Sequence, residues 1–168
     1  MSLSMYQASV PVFLRMLSNL TIVLDKTMAH VAARKIEPAA LLGARLYPDM
    51  FPLIRQVQLA ADFAKNSAAR LAGVDLPKFS DTETSFEELK ARIAKTTEFL
   101  NTLKPGQIDG TEEKEITFPV TGQPTTFQGQ QYLFNSALPN FFFHLTTAYA
   151  ILRHNGVDLG KRDFLGPY

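Results

Sequence analysis

Apolar residues recur at every third or fourth position in four stretches of the chain, and this spacing predicts four amphipathic helices. The first helix is predicted over residues 11–33, with Ser9 as its cap and Pro11 in its first turn. The second is predicted over residues 48–72, and Gly73 follows where a left-handed residue often ends a helix. Both helices carry a continuous apolar stripe, which has to be buried against a neighbour.

Two further helices are predicted in the second half of the chain. Ser85 and Glu88 have the S-x-x-E spacing of a capping box, so the third helix begins directly after Ser85. The fourth covers part or all of residues 129–154, with Pro139 either in its first turn or at a kink. The remaining residues, 157–168, are expected to be packed rather than helical.

A short stretch between the third and fourth helices has the alternation of a β-strand. Residues 116–120 place apolar side chains on one side, Thr121 and Gly122 form a turn, and residues 125–127 resume the alternation. We therefore predict an all-α fold, a four-helix bundle with a small β-hairpin between helices three and four. One domain, residues 1–168, is expected.

Composition narrows the classes of function. The 168 residues carry 17 Lys and Arg against 16 Asp and Glu, a net charge of +1, so neither nucleic acid nor an anionic membrane surface is expected as a partner. The absence of cysteine excludes disulfides, thiolate nucleophiles and thiolate zinc sites. No run of about 20 apolar residues and no basic leader is present, so we expect a soluble, cytoplasmic protein.

Two long stretches resemble the signatures of a known family. They are "RLYPDMFPLIRQVQLAADFAK", starting at Arg45, and "LPNFFFHLTTAYAILRHNGVDLGKRDFLG", starting at Leu138. Both look like motifs of an uncharacterised bacterial family of domains of unknown function. That family is similar to the DinB-like four-helix bundles, a superfamily regarded as metalloenzymes that includes thiol-dependent transferases and isomerases. The resemblance implies a DinB-like bundle with a crossover between helices two and three, often dimeric.

The same resemblance implies a metal site that this chain does not reproduce. Bundles of that superfamily hold a divalent metal with one histidine from helix two and an H-x-x-x-H pair from the last helix. His144 matches the first of the pair, but Ala148 stands four residues later. Helix two contains no histidine, and its nearest polar candidates are Gln56, Gln58 and Asp62. We therefore expect no cofactor and no three-histidine site. If a divalent metal is bound, His144 and Asp62 are the expected ligands.

The chain's other features suggest a different environment for each histidine of the last helix. His154 follows His144 by ten residues, which on a continuous helix is about 15 Å of rise and about 80° of rotation, so the two cannot share an ion. His144 lies on an apolar face and is expected to be a buried core residue, or alternatively a proton carrier in a pocket with Asp62. Asp62 could instead pair with Lys65 or Asn66.

Arg45 has two interpretations. It could hold the carboxylate of Asp49 at the start of helix two, which is the interpretation we favour, or it could bind the carboxylate of a ligand. The residues that we select as candidates for a ligand pocket are His144, Asp62, Gln58, Arg45 and Tyr149.

The aromatic run Phe141, Phe142 and Phe143 spans about 200° of helix circumference, more than one core-facing stripe can bury. Part of it should meet the hairpin, an apolar ligand or a second subunit, and a homodimer is our preferred explanation. We therefore expect a small-ligand-binding or interaction protein without the three-histidine site. The alternative is an enzyme, a metal-dependent hydrolase or a thiol-dependent transferase or isomerase, with a degenerate site around His144.

Overall fold

The computed structural model describes residues 4–167, and most of them lie in helices around an apolar core. Helices α1, α3, α4 and α7 form a four-helix bundle in which α3 contacts the other three. The predicted all-α bundle is therefore confirmed. Within residues 4–167, no helix is both long enough and apolar enough to cross a membrane. In chain order the elements are α1 (Val10–Arg34), α2 (Pro38–Leu42), α3 (Leu53–Ala72), α4 (Phe86–Thr102), α5 (Pro105–Ile108), β1 (Glu115–Val120), β2 (Gln123–Gln128), α6 (Gly129–Tyr132), a π-helical turn (Leu133–Ala137), α7 (Leu138–His154) and α8 (Lys161–Leu165).

Two helix starts differ from their predictions. Pro11 lies in the first turn of α1, but the Ser9 hydroxyl donates to the Met5 carbonyl oxygen, 2.6 Å away, and caps no helical N–H. Helix α3 begins at Leu53 rather than at residue 48. Pro52 explains this, because a residue that precedes proline is disfavoured in the helical conformation. The residues ahead of α3 therefore form an irregular connection.

Helix α4 begins as predicted, directly after Ser85. The Ser85 hydroxyl accepts a hydrogen bond from the Glu88 backbone N–H at 3.1 Å. The Glu88 carboxylate accepts from the Thr84 backbone N–H and hydroxyl, one residue before the position that a capping box uses. Side chains thus accept hydrogen bonds from the backbone N–H groups of both Thr84 and Glu88, which stabilises the start of the helix.

The last helix runs continuously from α6 through the π-helical turn into α7. Pro139 is the second residue after that turn, and its missing N–H and bulky ring explain why the regular hydrogen-bond ladder is interrupted there. The prediction that the tail is not helical is wrong for α8, whose start is held by the Asp163 carboxylate accepting from the Gly160 N–H at 2.8 Å. The tail is packed as predicted, since Phe164 lies against Tyr149.

The predicted hairpin is confirmed as the antiparallel pair β1 and β2. Thr121 and Gly122 both have positive φ, at 48° and 84°, which suits a two-residue hairpin turn. The rings of Phe118 and Phe127 pack on Tyr132, so the hairpin covers the start of the last helix.

Candidate functional site

His144 is buried between α7 and α3, with a relative exposure of 7%. Its Nδ1 atom lies 2.8 Å from Oε1 of Gln56 on α3. The ring of Phe63 stacks on the imidazole at 5.4 Å between centroids, and Phe143 meets it edge-on at 5.3 Å. Gln56 and Phe63 are seven residues apart, so they lie on the same face of α3, two turns from each other. The imidazole is thus held by one amide and two aromatic rings.

The hydrogen bonds of Gln56 fix the tautomer of His144. The Gln56 amide nitrogen donates to the Phe51 carbonyl oxygen at 3.2 Å, which leaves Oε1 to face the imidazole. Because Oε1 can only accept, Nδ1 of His144 carries the proton. The other ring nitrogen, Nε2, therefore presents a lone pair, and it has no hydrogen-bond partner among residues 4–167.

Burial and the nearby positive charge of Arg55 lower the pKa of His144 to about 4. The imidazole is therefore neutral near pH 7, because both causes disfavour its cationic form. A neutral imidazole with a bare nitrogen can accept a proton or a hydrogen bond, provided that a partner reaches it.

Asp62 and Gln58, two of the predicted candidates, lie together on a different face of α3. Asp62 contacts Arg92 of α4 at 2.7 Å and Lys65 at 3.1 Å, and Gln58 donates to Glu83 at 2.8 Å. The structure therefore pairs Asp62 with Lys65, one of the two alternatives that the sequence left open. Gln56, and not Asp62, is the polar partner of His144.

Arg92 is the centre of this second cluster, which we call the Arg92 network. Arg92 is 3% exposed, and its guanidinium contacts Asp62, Asp81 at 2.9 Å and Glu83 at 2.9 Å. Arg55 also binds Asp81. Burial alone would lower the pKa of Arg92, but the hydrogen bonds and charges of the carboxylates outweigh it and raise that pKa. Burial would likewise raise the pKa of Asp81, and the two arginines lower it instead.

The sequence contains a signal for this network that our prediction did not use, namely charged residues at core-facing helix positions. Arg92 follows the buried Leu89 by three residues and precedes the buried Thr96 by four, so it occupies a core-facing position of α4. Lys65 likewise lies beside Ala61 and Ala64 on α3. A charge at such a position needs a buried partner of opposite sign, and long polar segments such as residues 77–84 can provide one.

Arg45 and Tyr149 lie apart from both clusters. The Arg45 guanidinium donates to the Met50 carbonyl oxygen at 2.6 Å, and residues 4–167 contain no ion pair between Arg45 and Asp49. The prediction that Arg45 holds Asp49 is therefore wrong. Tyr149 packs edge-on against Phe164, 5.7 Å between centroids, on the opposite side of α7 from His144. The five candidates thus do not form one pocket.

An exposed apolar area lies beside His144, and we call it the aromatic surface. It consists of Leu46, Tyr47, Phe51 and Phe143, which are 39%, 66%, 54% and 55% exposed. Leu46 and Phe143 line a shallow cavity of about 420 Å³ over α7. Of the three consecutive phenylalanines, only Phe141 is fully buried, against Phe13 at 4.9 Å.

The donor set around His144 does not fit the divalent metal that the DinB-like resemblance implies. One imidazole is present, Ala148 occupies the position one turn later, and the facing Gln56 is already bonded to Nδ1. No cluster of three or more His, Cys, Asp or Glu suited to a metal ion occurs among residues 4–167. Zinc and related ions take several nitrogen, sulfur or carboxylate ligands, and an amide is a weak substitute.

Comparisons with known proteins agree with this architecture. A family model described as "Domain of unknown function (DUF1993)" matches residues 5–165. The chain is similar to a DinB family member protein from Shewanella denitrificans with a solved crystal structure, at 41% identity and a TM-score of 0.92. That match covers 97% of this chain and 92% of the other, whereas a comparison with curated proteins finds no match. The chain therefore belongs to the DUF1993 family and has a DinB-like fold.

Proposed function

We propose that this DinB-like bundle is an interaction protein that pairs with a second copy of itself through the aromatic surface, without a three-histidine metal centre. The observation that carries the proposal is the exposure of Leu46, Tyr47, Phe51 and Phe143, of which Leu46 and Phe143 line one cavity over α7. All four are large apolar or aromatic side chains with exposures between 39% and 66%, and such groups of exposed apolar side chains often mark interaction sites.

The location of these side chains supports a protein partner. Leu46, Tyr47 and Phe51 belong to the irregular connection before α3, and Phe143 belongs to α7; Leu46 and Phe143 line the same cavity, so the two elements meet there. Aromatic residues are enriched at the centres of protein interfaces, because they bury a large area with few rotatable bonds. Burying one half-exposed ring contributes about 2 kcal/mol.

Charges at the edge of the aromatic surface favour a second copy over an unrelated partner. Asp49 has no ion pair within the described part of the chain, and the Arg45 guanidinium binds a backbone carbonyl rather than a carboxylate. In a two-fold symmetric pair, Arg45 of each protomer can meet Asp49 of the other, since every contact occurs twice. One acid and one base beside an apolar centre are self-complementary.

The test is the mass of the protein in solution, measured by light scattering after size-exclusion chromatography. We expect the wild type to have twice the monomer mass of 18.7 kDa, and the double variant Tyr47→Ser, Phe51→Ser to be monomeric. Ile22→Ser is the matched control, because Ile22 is also an exposed apolar residue, at 43%, but lies on α1. That control should remain dimeric.

A charge exchange tests the register of the pair. Asp49→Arg should weaken association by placing two arginines together, and Arg45→Asp combined with Asp49→Arg should restore it. A wild type that is monomeric at micromolar concentration would refute the proposal. So would a dimer that is lost in Ile22→Ser and retained in the aromatic double variant.

A further inference from the structure

We propose that a cavity between α4 and the segment 78–83 binds a small dianion, such as a phosphate monoester or a dicarboxylate. The cavity has a volume of about 450 Å³. It is separate from the aromatic surface and from His144. The lining residues that the proposal uses are Lys78, Phe79, Ser80, Thr82, Arg92 and Lys95.

Two lysines supply positive charge without a partner inside the protein. Lys78 and Lys95 both line the cavity, and neither has an ion pair or hydrogen bond with any other residue that the structure describes. Three other lysines are paired with aspartates: Lys65 contacts Asp62, Lys26 contacts Asp163 and Lys90 contacts Asp25. Two unpaired ammonium groups that share one concave space raise the local concentration of anions.

The carboxylates of the cavity are already engaged. Glu83 accepts from Arg92 at 2.9 Å and from Gln58 at 2.8 Å. Glu88 accepts from the N–H and hydroxyl of Thr84. Glu83 is thus neutralised by Arg92, whereas Glu88 keeps one uncompensated negative charge, so the two lysines leave the cavity with a net positive charge of about one.

The polar groups between the lysines suit an oxyanion. The hydroxyls of Ser80 and Thr82 belong to exposed residues and can donate to a phosphate or carboxylate oxygen. Arg92 lines the same cavity, and its Nε is a buried donor without a partner among residues 4–167. That atom has almost no solvent-exposed area and cannot be reached from the cavity, so the ligand contacts are assigned to Lys78, Lys95 and the two hydroxyls.

The size and walls of the cavity limit the ligand to a small molecule. Its volume falls within the range of about 300 to 1,000 Å³ that is usual for small-molecule sites. The ring of Phe79 forms one wall, fixed by the Lys65 ammonium at 4.9 Å and the Arg92 guanidinium at 5.7 Å from its centroid. A dianion with a short organic body matches two lysines and one aromatic wall.

The experiment is a titration of the full-length, ¹⁵N-labelled protein followed by NMR, with inorganic phosphate in one series and malonate in another. Ionic strength is held constant with sodium chloride. We expect saturable shifts of the amide signals of Lys78, Phe79, Ser80, Thr82 and Lys95 with at least one of the two probes. Lys78→Gln and Lys95→Gln should each weaken the apparent affinity about fivefold, the effect of losing one partly solvated charge contact.

Lys161→Gln provides the matched control, because it removes the same charge at the start of α8, away from the cavity. It should leave both titrations unchanged. The proposal fails if neither probe gives saturable shifts. It also fails if Lys161→Gln weakens binding as much as Lys78→Gln, since the effect would then reflect net charge alone.

Discussion

The His144 site and the Arg92 network lie on two faces of the same helix, α3, and they bury polar groups in opposite ways. His144 is neutral and makes one hydrogen bond, to Gln56. The Arg92 guanidinium remains charged among three carboxylates. The exposures of the two groups are similar, at 7% and 3%, so depth of burial does not decide which one keeps its charge.

The difference is explained by the partners that each face supplies. The Gln56 amide is neutral and cannot compensate an imidazolium, so burial keeps His144 uncharged. Asp62, Asp81 and Glu83 offer full negative charges to Arg92, so burial and ionisation coexist. A buried titratable group thus takes its charge state from the elements packed on it. Replacing Arg92, His144 or Arg55 should therefore lower the free energy of unfolding by different amounts.

The largest effect is expected from Arg92→Met. Methionine fills a similar volume but leaves Asp62, Asp81 and Glu83 without their shared cation, and loosens residues 80–83 from α4. Removing one partner from a buried ionic network typically costs about 3 to 5 kcal/mol. Equilibrium unfolding in urea at pH 7 measures this loss.

Arg34→Met is the matched control for that substitution, since Arg34 is an exposed arginine in the last turn of α1. Its loss should be about 0.5 kcal/mol, the value of a cation near a helix C-terminus. A loss below about 1 kcal/mol in Arg92→Met would mean that the network contributes as little as surface pairs do.

Much of the fold was predictable because it follows from local pattern. The apolar spacing of α1 and α4, the hairpin turn at Thr121 and Gly122, and Pro139 at an irregularity of the last helix all agree with the structure. The start of α3 was misplaced by five residues, because an apolar stripe continues through Phe51 while Pro52 prevents helix formation before it. The tail helix α8 was missed, because five residues are too few for a periodic pattern.

The candidate site was less predictable, because it depends on how helices rotate against each other. Burial of His144 was an expected alternative, and its position on an apolar stripe was sufficient for that. The sequence could not predict that Gln56 rather than Asp62 would be the partner of His144, because both residues lie on α3 within two turns of each other. Arg92 was missed because its carboxylates come from α3 and from residues 80–83, at distances in sequence that no local motif encodes.

An intermediate effect is expected from protonation of His144. Its pKa is about 4 when folded, against the ordinary value of 6.5 that we assign to the unfolded chain. Between these pH values His144 is protonated in the unfolded chain but neutral in the folded protein. Its contribution to the free energy of unfolding is therefore fully present above pH 6.5 and decreases as the pH falls towards 4. The total loss is about 3 kcal/mol. Urea unfolding at a series of pH values measures it.

His144→Gln separates this loss from that of the acids. Glutamine cannot titrate, so the variant should lack the decrease between pH 6.5 and 4. The lowered pKa values of Asp81 and Glu83 affect stability chiefly at still lower pH, in both proteins, because these carboxylates must be protonated to lose their partners. Parallel pH curves for the wild type and the variant would contradict a low pKa for His144.

The smallest effect is expected from Arg55→Gln, which breaks an electrostatic link between the two faces. Arg55 pairs with Asp81 in the Arg92 network, and its charge also disfavours protonation of His144. Because the Arg55 side chain is 33% exposed, its loss should change stability by less than about 1 kcal/mol. The pKa of His144 should rise, but stay below 6.5, because burial is the larger cause and persists. A ¹H–¹⁵N NMR titration of the histidine ring measures both the pKa and the proton on Nδ1, with Arg34→Gln as the control. An unchanged pKa would mean that the Arg92 network and the His144 site are electrostatically independent.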